Sequence, residues 1–169
     1  MNVVFLGPAF PPEMREFTRG LAETGAHVFG VGDGPPDPRI LPYLKTYLRV
    51  PSLMQGNDVV ERVSNWVKGE TIDDVVGNWE PTMLPAAQLR QRLGLRGMTP
   101  DQVLGFRDKP MMRERVAAAG VRVPKTHRAQ TVAEVFEATE NIGFPLVIKP
   151  VDGAGSADTH VVDNLSQLK

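Results

Sequence analysis

The first thirty residues constrain the fold most. Val3-Val4-Phe5-Leu6 is an apolar run closed by Gly7-Pro8, and Glu13 to Thr24 follows with Met14, Phe17, Leu21 and Ala22 on one helical face. Gly25 supplies a carboxyl-terminal stop, and His27-Val28-Phe29-Gly30-Val31 reads as a second buried strand. Two strands joined through a helix are most simply parallel, because a parallel pair needs a long crossover. The opening therefore predicts a β-α-β unit and an α/β domain.

The same grammar continues for another sixty residues. Gly32-Asp33-Gly34-Pro35-Pro36-Asp37-Pro38 must be an irregular loop, since its prolines lack donors and fix φ. Thr46 to Val50 reads as a short strand. Asn57-Asp58 offers caps for a helix with Val59, Val60, Val63, Trp66 and Val67 on one face. Ile72 to Trp79 resembles the next strand, and a helix from Pro81 to Leu93 follows, with Pro81 tolerated in its first turn. Two glycines and a proline between Gly94 and Pro100 then interrupt the alternation, which places a domain boundary near residue 95. Beyond it, helices are expected at Pro100 to Phe106 and Asp108 to Ala119, and a brief strand at Val121 to Val123. Thr131-Val132-Ala133-Glu134 fits a capping box for a helix with Val132, Val135, Phe136 and Ile142 inward. A strand at Phe144 to Pro150 pairs back with Thr159 to Val162, and Leu165 to Lys169 begins another helix.

Composition narrows the function classes. A hydrophobic fraction of 41% and a charged fraction of 23% over 169 residues describe a globular chain. A net charge of −1 supplies no basic field for nucleic acid. No apolar stretch approaches the roughly 20 residues that span a bilayer, and the first residues lack a signal-peptide pattern, so no membrane association and a cytoplasmic address are expected. Zero cysteines exclude disulfides, thiolate metal sites and a cysteine nucleophile.

Chemistry concentrates in Phe144-Pro145-Leu146-Val147-Ile148-Lys149-Pro150-Val151-Asp152-Gly153-Ala154-Gly155-Ser156. An apolar strand delivers the Lys149 ammonium into a glycine-rich turn, where backbone N–H groups can close around anionic oxygens. Lysine suits phosphate as a point charge. The plainer alternative is a strand-edge lysine that snorkels to water beside an ordinary hairpin turn. Lys109, taken alone, reads as a surface lysine in a first helical turn. Gly7-Pro8-Ala9-Phe10 lacks the second and third glycines of a dinucleotide fingerprint, which disfavours a nicotinamide-binding domain. Asp33 reads as a turn former, and His27, His127 and His160 lack metal-ligand spacing.

Taken together, Asp108-Lys109-Pro110-Met111-Met112-Arg113, then Ala119-Gly120-Val121-Arg122-Val123-Pro124, then Gly143 to Pro150 with its glycine-rich loop, resemble the ATP-grasp superfamily, most of all its carboxylate–amine ligase and biotin-carboxylase-like branch. The resemblance implies a Rossmann-like pre-ATP-grasp domain with a parallel sheet over 1–95 and the beginning of an α+β ATP-grasp fold over 96–169. It implies ATP contacts at Lys109 and Lys149, and closure over the phosphates by Gly153, Ala154, Gly155 and Ser156. It further implies a small-molecule carboxylate activated as an acyl-phosphate, an amine or other nucleophile, and a dimer surface on the amino-terminal domain. Magnesium is expected too, with its ligands outside this chain and no catalytic residue assigned within it. The expectation is therefore an amino-terminal portion that does not catalyse ligation alone. The competing reading is a non-catalytic nucleotide-binding or protein-interaction module with an incomplete ATP-grasp fold.

Overall fold

The computed structural model describes residues 1–151, 156 and 158–168. The chain divides into two compact units, Met1–Val103 and Leu104–Lys169.

The first unit is an α/β layer structure. Its elements are β1 (Asn2–Leu6), α1 (Met14–Glu23), β2 (His27–Gly32), β3 (Leu44–Arg49), α2 (Gly56–Trp66), β4 (Asp74–Val76) and α3 (Met83–Leu93). The strands form one parallel sheet in the order β3-β2-β1-β4. Central strand β1 pairs Val4 with Phe29 on one side and with Val75 on the other. Its side chains serve two cores: Val4 and Leu6 pack with Val59 and Val63 of α2 and Leu89 of α3, whereas Phe5 packs with Met14 of α1 and Val28 of β2. Helices on both faces explain why β1 is apolar without alternation.

The second unit begins within α4 (Pro100–Arg107) and continues through α5 (Lys109–Ala118), α6 (Val132–Ile142), β5 (Leu146–Ile148) and β6 (His160–Val162) to a 3-10 turn at Leu165–Leu168. β5 and β6 are antiparallel, pairing Leu146 with Val162, Val147 with Val161 and Ile148 with His160. Leu146 and Val162 are buried, and the neighbouring pair Val147 and Val161 is exposed.

Several sequence expectations are corrected. Phe17 is exposed, and Thr18 takes the inward position because the buried stripe of α1 follows Met14 at a spacing of four; its hydroxyl donates to the Pro8 carbonyl at 2.7 Å. Asn57 and Asp58 do not cap α2, which starts at Gly56 after an uncapped Gln55; Asp58 instead accepts from Arg62 one turn on, at 2.7 Å. The strand expected over 72–79 shortens to Asp74–Val76; just before it, Asp73 donates its N–H to the Asn2 carbonyl at 2.9 Å and its carboxylate accepts the Asn2 N–H at 2.6 Å. Val121 to Val123 form no strand: between Gly120, at φ +80°, and Pro124 they meet no pairing partner among the described residues. Val132, expected inward, is 71% exposed, and Ala138 is the buried residue of α6. The strand expected over 144–150 contracts to Leu146–Ile148, so Lys149 lies just beyond it.

Candidate functional site

The site lies in the second unit, where the start of α5 meets the end of β5. Asp108 caps α5 through Oδ1, which accepts the Met111 N–H at 2.9 Å, and Pro110 occupies the first turn, where a missing N–H costs nothing. The first helical residue is Lys109. A cation there opposes the positive end of the helix dipole, and no acidic side chain occupies that first turn. The acidic group at this helix end is the capping Asp108 carboxylate.

Lys109 reaches across 42 residues of sequence. Its Nζ donates to the Val151 carbonyl at 3.1 Å and its backbone N–H points at the same oxygen at 3.4 Å. Val151 stands two residues after Lys149 in the sequence. The fold thus joins the two motif lysines through one short backbone segment. Lys149 is exposed, with its ammonium carried on a residue past the last strand pairing, Ile148 with His160.

Of the loop residues, Ser156 is exposed and has φ +60°, with Asp158 at φ +53°. Both sit in the left-handed region, which aspartate tolerates through local hydrogen bonding and serine enters less often. Gly153, Ala154 and Gly155 lie outside the described residues.

Other residues weighed in the sequence have structural roles. Asp33 accepts the Leu53 N–H at 3.2 Å, tying the loop after β2 to the one after β3. The His27 ring contacts the Asn2 amide oxygen at 3.0 Å. Among the described residues, no group of three or more His, Cys, Asp or Glu is placed to hold a metal ion. No helix among them is long and apolar enough to cross a membrane. Two features were missed. The Val151 carbonyl carries no side-chain signal at all. Arg113, one turn beyond Lys109 on α5, has a buried Nε without a hydrogen-bond partner among the described residues; the spacing of four between two cations could have marked it.

Residues 108–169 match the family model of the carbamoyl-phosphate synthase L chain, ATP binding domain. The resemblance to the ATP-grasp superfamily holds. The chain is similar to ligases: alanine–anticapsin ligase of Bacillus subtilis (strain 168) is 35% identical over 99 residues, covering 59% of this chain and 21% of the relative. The carbamoyl phosphate synthase large chain of Rubrobacter xylanophilus is 29% identical over 121 residues, covering 61% of this chain and 12% of that protein. Among solved structures, an L-amino acid ligase from Bacillus licheniformis superposes with a TM-score of 0.77 at 22% identity, over 99% of this chain and 40% of that one. N5-carboxyaminoimidazole synthetase from Staphylococcus aureus, solved in complex with ADP, gives 0.69 at 14% identity, over 99% and 42%. The structural likenesses show the fold that this chain shares with about two fifths of each of those proteins. The chain spans about a fifth of the length of the alanine–anticapsin ligases it matches.

Proposed function

We propose that this chain is the amino-terminal portion of an ATP-dependent carboxylate–amine ligase. One carboxylate oxygen of the substrate attacks the γ-phosphorus of ATP, ADP leaves, and an acyl-phosphate results. An amine then attacks the acyl carbon and inorganic phosphate departs. In this scheme Lys109 and Lys149 bind phosphate oxygens and neutralise charge that grows on them during transfer, and Ser156 belongs to the segment that meets the phosphates together with Gly153, Ala154 and Gly155. The magnesium expected with ATP has no fitting cluster among the described residues, and the roles of the two lysines stand without it.

The observation that carries this reading is the Lys109 hydrogen bond to Val151, which brings the cationic start of α5 to the segment following Lys149. It is supported by the ligase relatives, whose names include ligation of alanine with anticapsin and of L-amino acids. The experiment is ADP release by the full natural protein, with amino acids as carboxylate and amine donors. Lys149→Ala should lower kcat/KM for MgATP by about 10²-fold or more, the usual loss when one preorganised transition-state donor is removed. Unchanged turnover in that variant would sink the assignment.

A further inference from the structure

We infer that Lys109 is a positioning residue as well as a phosphate contact: its bond to Val151 holds Lys149 in place. This rests on the ligase reading for its functional meaning, whereas the Lys109–Val151 contact belongs to the structure itself.

Lys149 is bracketed by constraints. On its amino-terminal side Ile148 is paired with His160, the last rung of the β5–β6 ladder. On its carboxyl-terminal side comes Pro150, whose ring fixes φ and which has no N–H to give to a neighbouring strand. The ladder therefore cannot extend through Pro150 to hold the chain. Two residues past Lys149, the Val151 carbonyl receives both the ammonium and the N–H of Lys109. An ammonium has three donors, so the bond to Val151 is compatible with further contacts to phosphate oxygens. A cation at the first residue of α5 opposes the helix dipole, and a carbonyl oxygen at 3.1 Å offsets part of that cost. Lys109 thus acts on Lys149 through the backbone, as a strut between helix and strand end.

The test is hydrogen exchange of the full natural protein without nucleotide, read over 146–151 and 160–162 and at the Lys109 amide. In Lys109→Met, exchange in these segments should quicken by about tenfold or more, the loss expected for one charge-assisted hydrogen bond, while the rest of 104–168 changes little. Lys109→Arg, which keeps a donor, should restore part of the protection, and Lys149→Met should leave it as in the unaltered protein. Unchanged exchange in Lys109→Met overturns the inference and leaves Lys109 a phosphate contact only. An even rise across 104–168 overturns it equally, because a strut acts locally. Failure of the ligase reading would appear elsewhere, as absence of MgADP binding by the unaltered protein in a calorimetric titration.

Discussion

Asp37 illustrates how much one side chain can organise in a loop too rich in proline for regular structure. Arg39 donates to it through Nε at 3.0 Å, through a terminal nitrogen at 2.7 Å and through its own backbone N–H at 2.9 Å, and Arg15 of α1 adds an ion pair at 2.9 Å. The Arg39 hydrogen bonds, helped by the charges of both arginines, hold the Asp37 carboxyl well below its ordinary value of 3.8. The linkage has a definite sign. A carboxyl with a lowered folded-state pKa contributes stability at pH values above the unfolded pKa, and that contribution is lost as pH falls from about 4 through the folded value. Asp37→Asn should therefore be less stable than the unaltered chain at pH 7, and the gap should narrow as pH is lowered below about 4. Urea midpoints at neutral and acidic pH would check this; a gap that stays constant with pH would assign the loop's order to something other than this charge.

At the scale of elements, helix ends carry information that helix faces do not. Thr131 was legible as a cap because its partner lies three residues away: its hydroxyl oxygen accepts the Glu134 N–H at 3.3 Å. The Glu134 carboxylate reaches back to the Gln130 N–H at 2.6 Å, one residue beyond the usual capping-box partner. Thr131→Ala should cost about 1 kcal/mol of stability, measured by denaturant unfolding, and Thr131→Ser should cost less. Faces were less legible. Phe17 and Val132 are apolar and correctly spaced for an inner stripe, yet both are exposed, because which side of a helix turns inward depends on where the sheet or the next helix lies. Short strands failed for a related reason. Val121 to Val123 have the right residues, but a strand exists only where another strand offers its ladder. Val3 to Leu6 and Val28 to Val31 were readable because each is a run without polar side chains, the mark of a strand covered on both faces.

For the molecule as a whole, the parallel α/β class followed from the alternation of elements, whereas Lys109 was singled out only through the family resemblance and Lys149 also through its local pattern. What the sequence could not supply was the join between them, a hydrogen bond spanning 42 positions to a backbone oxygen. Contacts of that kind are set by tertiary packing rather than by neighbouring residues. The proposed activity has a consequence at this scale. A ligand that binds only the folded state at 100 times its Kd adds about 2.7 kcal/mol of stability. MgATP should therefore raise the Tm of the full natural protein, and Lys149→Ala should shrink that rise at the same nucleotide concentration. Equal shifts in the two proteins in differential scanning fluorimetry would remove Lys149 from the binding site.

The arrangement of the parallel sheet also has a timetable. β1 is made first, yet it lies between β2, which follows almost at once, and β4, which begins only at Asp74. At roughly 5–20 residues per second of synthesis, β4 follows β2 by several seconds, and any β1–β2 pair formed in that interval has the future β4 side of β1 unpaired. During that interval Val3, Val4 and Phe5 present an open edge to whatever is nearby, and the arrival of β4 is what ends the exposure.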